Sequence, residues 1–224
     1  MLEYRVLGPL EALRDGESIE LGGQKPRALL ALLLLEGGRA VSTRRLTDDL
    51  WSPAPASSAK AIQVYVSQLR KALGSDVIET RDDAYLLPTT AASFDLTRFE
   101  ELVDAGRSQV SAGRNAEGAA LLAQALALWR GDALDGLDEP GLVPYRARLD
   151  ELRLVVHELS NDARLAAGED ATVLPELTLL ARRNPLRERF QEQLMLALYR
   201  NGRQAEALDV YRALRERVAS SRSS

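Results

Sequence analysis

The sequence contains no cysteine, which excludes disulfides, thiolate metal sites and a thiol nucleophile. That absence is compatible with a reducing compartment. It has a single histidine, His157, so neither a Ser-His-Asp triad nor a multi-histidine metal site can be assembled. Gly22-Gly23-Gln24-Lys25 does not complete a phosphate-binding loop, and no G-x-x-x-x-G-K-[ST] run occurs. Long hydrophobic runs are missing too, against the roughly 20 apolar residues that span a bilayer. The run at 28–35 covers eight residues, is followed by Glu36, Gly37 and Gly38, and reads as a buried helix. The opening Met-Leu-Glu-Tyr-Arg has the form of neither a signal nor a transit peptide. A cytoplasmic, non-enzymatic protein without cofactor, metal or membrane contact is expected.

The last absence is local. The chain carries 33 Asp and Glu among 224 residues and a formal charge of −4, which by itself argues mildly against nucleic-acid binding. Yet residues 50–75 hold no acid at all while containing Lys60, Arg70 and Lys71; random scatter would place about four acids there.

What is present divides into two halves. Tyr4-Arg5-Val6-Leu7, Leu10-Glu11-Ala12-Leu13 and Ser18-Ile19-Glu20-Leu21, with Asp15-Gly16 as a turn, predict a small antiparallel sheet. A helix is expected from near Pro26 to Leu35, stopped by Gly37-Gly38, and a short second one behind the cap Ser42, carrying Leu46, Leu50 and Trp51 inward. A third runs from Ser57 or Ser58 to Leu73, with Gly74 as its stop. A hairpin then follows, with Val77-Ile78-Glu79-Thr80 leading to Tyr85-Leu86-Leu87 around the turn 81–84. Sheet, three helices and hairpin in that order predict a winged helix. From Phe94 onward the strand signals vanish, and amphipathic helices are expected over 94–110, 116–129 and 146–167, with three shorter ones after them. Residues 131–144 read as an irregular linker. Ala167-Gly168-Glu169-Asp170-Ala171 and Asn201-Gly202-Arg203-Gln204-Ala205 stand 34 residues apart, the tetratricopeptide period, and Ala112-Gly113-Arg114-Asn115-Ala116 echoes them. Such helix pairs bury their apolar faces only by stacking.

The third helix carries the candidate chemistry. Ile62, Val66, Leu69 and Leu73 form one apolar stripe. The opposite face offers Lys60, Gln63, Val64, Ser67, Arg70 and Lys71 and no acid, although glutamate is common on solvated helix faces. Lys and Arg gain affinity for phosphates by releasing counterions. Gln63 and Gln68 have amides suited to base edges, and Ser67 is short enough to let a helix sit deep in a groove. Arg81, near the hairpin tip, can reach an adjacent groove or phosphate. The plain alternative is an amphipathic surface helix, and the winged-helix order favours DNA. Thr43 and Arg44 fit either a phosphate contact at a helix start or an ordinary cap. Lys25 and Arg27 fit a contact or plain surface. His157 reads as a packed or surface side chain, and Trp51 and Trp129 read as core.

Residues 62–73, Ile-Gln-Val-Tyr-Val-Ser-Gln-Leu-Arg-Lys-Ala-Leu, resemble the recognition helix of OmpR-type winged helices. With 5–10, 25–33 and 46–51, and with 125–131 and 193–208 in the second half, the whole chain resembles the Streptomyces antibiotic regulatory protein family. The likeness covers residues 3–218. It implies a mainly α fold with a small β component: an OmpR-type winged helix-turn-helix over 1–91, an all-α tetratricopeptide-like bacterial transcriptional activation domain over 92–218, and a disordered tail at 219–224. It also implies a sequence-specific activator on double-stranded DNA with direct repeats near the −35 region, bound as a homodimer or higher assembly. Such a protein recruits RNA polymerase and its sigma factor, commonly for antibiotic biosynthesis genes. Its DNA contacts would be Lys60, Gln63, Val64, Ser67, Gln68, Arg70, Lys71 and Arg81, with Thr43 and Arg44. A protein-binding adaptor whose winged helix is structural is the second reading. Two features depart from the family pattern. Ala84 stands before Tyr85 where the wing usually has glycine, which puts the contact of Arg81 in question. The ending, 219–224, lacks the family's usual acidic continuation and suits the N-terminal part of a larger regulator.

Overall fold

The computed structural model describes residues 1–88 and 93–221, the last five by backbone alone. Contacts divide it into two compact units, one of Met1–Glu101 with Ala127–Arg153 and one of Leu102–Leu126 with Leu154–Ser224. The expected boundary after residue 91 lies outside the described residues.

In the first unit, strands β1 (Leu2–Arg5), β2 (Glu11–Arg14) and β3 (Glu17–Ser18) form the expected antiparallel sheet around the turn at Asp15-Gly16. The third strand is shorter and earlier than its sequence pattern suggested. Helices α1 (Gln24–Leu35), α2 (Thr43–Leu50) and α3 (Ser58–Leu73) follow. Residues 28–34 of α1 are all at most 1% exposed, as befits a helix apolar on every side. The hairpin β5 (Glu79–Arg81) and β6 (Ala84–Leu86) closes the winged helix.

Two short strands escaped the sequence reading. Strand β4 (Val41–Ser42) joins the hairpin in the order β4-β6-β5. Strand β7 (Ser93–Phe94) pairs in parallel with β1, so Phe94 belongs to a strand and α4 (Asp95–Ser111) begins one residue later. The Asp95 carboxylate accepts from the amides of Val6 and Leu7 at 2.9–3.0 Å. Burial pushes its carboxyl above the ordinary range, against the pull of those amides and of Arg130.

The expected linker is packed as well. The Arg130 and Leu134 amides donate to the carbonyls of Leu7 and Val6 at 2.8 and 3.1 Å. Ala133, Leu134, Leu137 and Leu142 are fully buried, and Pro140–Leu142 forms a 3-10 turn. Trp129 meets Phe99 edge-on at 5.7 Å with the Arg153 guanidinium 4.8 Å from its ring centre. It is a core residue, as expected, although α5 (Asn115–Leu126) ends three residues before it.

In the second unit, α6 (Val143–Ala166) contributes its later turns, and α7 (Asp170–Arg183), α8 (Glu188–Arg200) and α9 (Gln204–Ser221) follow. Phe190 and Leu177 centre a core with Val173, Leu194 and Leu198. The repeat seen in the sequence reappears as one device at helix ends. Gly113, Gly168 and Gly202 all have positive φ, and the next residue's amide reaches the carbonyl five positions back. That is the Schellman cap, which glycine closes without Cβ strain. Because α9 continues to Ser221, residues 219–221 of the expected tail are helical, and 222–224 lie outside the described residues. Among the described residues, no helix is long and apolar enough to cross a membrane.

Candidate nucleic-acid interface

Helix α3 is seated by the stripe the sequence indicated. Ile62, Val66, Leu69 and Leu73 are each at most 2% exposed, and burial of such side chains is worth about 1.5–3 kcal/mol apiece. With about 100° per residue, the outward face then centres on Lys60, Val64 and Lys71, flanked by Ser67, Gln63 and Gln68. All six are exposed. Among the described residues, no ion pair or hydrogen bond engages either lysine. Gly74 ends the helix, and the absence of acid across 50–75 leaves the face without a carboxylate.

Arg70 is placed differently from the sequence reading. It is half-buried, its Nε and one terminal nitrogen donate to the Ile78 carbonyl at 2.9 and 2.6 Å, and that nitrogen also reaches Thr80 Oγ1 at 2.8 Å. Its guanidinium ties α3 to the hairpin, a role invisible in a helical wheel. Thr43 departs in the same way. Its amide and its hydroxyl both donate to the Asp83 carbonyl, at 2.8 and 3.2 Å, so that amide faces the wing turn rather than a ligand. Ser42 is the cap the sequence indicated, accepting from the Arg45 amide at 3.2 Å. Arg44 is exposed beside it. The wing closes over Asp82-Asp83, where Asp82 takes φ 49°, a conformation aspartate tolerates better than most residues. Ala84 sits in regular strand pairing with Arg81 and with Ser42. Arg81 is exposed at the tip and pairs with Glu79 at 3.1 Å, a surface ion pair the sequence reading did not foresee.

Behind α2, the buried Glu36 accepts from Arg45 and from the Tyr145 hydroxyl. Burial raises its carboxyl, but Tyr145, Arg45 and Arg39 outweigh that and hold it below its ordinary value. His157, in the other unit, is a mostly buried side chain with Nδ1 3.3 Å from Glu176 Oε1. Among the described residues, no cluster of His, Asp or Glu could hold a metal ion.

A trihelical core, a β-hairpin wing and an acid-free outward helix, followed by tetratricopeptide-like helices, define the class of winged-helix transcription regulators. Comparison with known proteins agrees. Residues 94–221 match the family described as "Bacterial transcriptional activator domain", and 16–85 match "Transcriptional regulatory protein, C terminal". Regulatory protein AfsR of Streptomyces coelicolor is 43% identical over 97% of this chain, which covers 22% of AfsR. Regulatory protein DnrI of Streptomyces peucetius is 35% identical over 98% of this chain, which covers 85% of DnrI. The solved structure of Mycobacterium tuberculosis EmbR in complex with a low affinity phosphopeptide superposes with TM-score 0.93 at 33% identity, over 98% of this chain and 60% of that one. The chain thus spans about a fifth of AfsR and most of DnrI. It belongs to the Streptomyces antibiotic regulatory protein family, a family of transcription regulators.

Proposed function

We propose that this chain is a sequence-specific activator that lays α3 in the major groove and sets its wing on the neighbouring backbone. The observation that carries the reading is the outward face of α3, where Lys60 and Lys71 have no partner among the described residues and bracket Val64 and Ser67. The major groove is about 12 Å wide and admits one helix. In this reading Lys60 and Lys71 neutralise phosphates, Gln63 and Gln68 hydrogen-bond base edges, Ser67 and Val64 approach the groove floor, and Arg44 meets the backbone. Arg81 exchanges Glu79 for phosphate, since an exposed ion pair holds only about 0–1 kcal/mol. Arg70 and Thr43 hold the reading elements together from behind.

The target is direct repeats near a promoter −35 region, read by a homodimer or higher assembly. Repeats one turn apart, about 34–36 Å, put protomers on one side of the duplex. The helical unit then recruits RNA polymerase and its sigma factor in the cytoplasm, at genes for antibiotic biosynthesis. The names of the relatives AfsR and DnrI as regulatory proteins support the class of activity.

The test is titration of the purified chain onto a promoter duplex with direct repeats one turn apart, against a scrambled duplex, across salt. Stepwise binding that prefers the repeats and weakens steeply with salt is expected. A folded protein that binds neither duplex, or both alike in proportion to charge, would leave the adaptor reading in its place.

A further inference from the structure

Glu139 is one of the few charged side chains buried in the first unit, and its role is not absorbed by the recognition face. Its side chain is 1% exposed, and neither carboxylate oxygen has a hydrogen-bond donor among the described residues. The countercharge is Lys25, with Nζ 3.3 Å from Oε1. An ammonium in that position holds a buried carboxylate that would otherwise be strongly unfavourable. Lys25 Nζ also donates to the Leu50 carbonyl at 2.6 Å, where α2 ends, and lies 5.7 Å from the ring centre of Trp51. Trp51 in turn stacks on Tyr65 of α3, centroids 6.3 Å apart and planes 30° from parallel. A second contact lies alongside. A Cβ at Gly141 would fall 2.7 Å from the Asp49 Cα, so the 3-10 turn rests on the last turn of α2 with no room for a side chain.

We infer that residues 139–142 act as a wedge that sets how α3 is presented, with two positioning residues: Glu139 acting through Lys25, Trp51 and Tyr65, and Gly141 acting through the last turn of α2. This rests on α3 being the DNA-reading element. The wedge belongs to a segment that follows α5 in the chain, so changes there reach the reading face without touching nucleic acid. It also gives Lys25 a function inside the fold, between the contact and the plain surface that the sequence left open.

The test uses the full chain carrying Trp129→Phe, so that Trp51 is the sole indole, with Glu139→Gln and Gly141→Ala introduced separately. The first leaves the ammonium beside Trp51 without its countercharge, and the second forces the turn off α2. Both should melt cooperatively, shift Trp51 emission, and lower affinity for a duplex selected by the parent protein by roughly three- to thirtyfold. The salt slope should match the parent, because no phosphate contact is lost. If folded variants keep parental affinity and emission, the wedge is ordinary packing and the inference fails. A changed slope would also overturn it, since the residues would then act on DNA directly. If the parent binds no duplex, the DNA reading fails, and emission alone judges the wedge: a shift in both variants supports it, an unmoved spectrum sinks it.

Discussion

Arg70 is where two accounts of the same residue make opposite forecasts. As a phosphate contact it would add charge to the complex; as a brace it fixes the wing to α3. Replacing it with alanine removes two bonds to the Ile78 carbonyl and one to Thr80 Oγ1. Ile78 is 1% exposed, so little water reaches the vacated carbonyl. Hydrogen bonds to charged groups contribute about 1.5–3 kcal/mol net. Arg70 is only half-buried and Thr80 exposed, so water recovers part of the loss, and about 2 kcal/mol is the reasonable figure. If the wing opens as a local unit, its amides in the Thr80–Tyr85 pairing should exchange roughly thirtyfold faster. Amides of α7 and α8 provide the unaffected reference. DNA affinity should fall with an unchanged salt slope. Arg70→Lys should behave like the alanine variant, because an ammonium keeps the charge but not the planar fork. Unchanged wing exchange, with the salt slope reduced by about one and restored by lysine, would refute the brace and return Arg70 to the contact surface.

Lys71→Ala should weaken binding to every sequence alike and reduce the salt slope by about one; filter or fluorescence titrations at several salt concentrations check this, and an unaltered slope removes Lys71 from the interface. Phe190→Ala, at a fully buried position in the helical core, should cost about 3–5 kcal/mol and lower the denaturation midpoint; a loss under 1 kcal/mol would mean that the site collapses around the smaller residue. The carboxyl of Glu36 is depressed below its ordinary 4.5, so its contribution to stability is complete above that value and disappears as pH falls through the lower folded one. Glu36→Gln should therefore flatten the acid side of the stability profile, and parallel profiles for both proteins would contradict the assignment.

The readable parts of this fold were those in which neighbours in sequence determine the outcome. Helix α3 could be bounded within a residue because Ser57 precedes it, Gly74 follows it and its apolar stripe has helical spacing. The cap at Ser42 and the glycine ends at 168 and 202 are likewise local. Strands β4 and β7 are two residues long, too short to show alternation, and exist through pairing with Tyr85 and Tyr4. The buried Ala133, Leu134, Leu137 and Leu142 follow neither a helical nor a strand period, and the surrounding glycines, prolines and acids hide them. On the candidate interface, the sequence showed which residues carry charge but not where each donor is already committed. The exposure of Lys60 and Lys71 follows from helical spacing alone, whereas Arg70 and Thr43 depend on carbonyls that only the fold brings within reach.

The docking of residues 130–134 onto the N-terminal strand bears on modularity. A fragment cut after residue 91 would lose Asp95, which receives the Val6 and Leu7 amides, and the Arg130 and Leu134 amides that satisfy the Leu7 and Val6 carbonyls. The winged-helix unit is thus stitched together by chain that comes after more than one helix of the following sequence. Chimaeras that exchange DNA specificity between relatives should carry Ala127–Arg153 along with residues 1–101. Exchange at the expected boundary after residue 91 would separate segments that pack as one unit, and recombination there should yield proteins that aggregate rather than regulators with new targets.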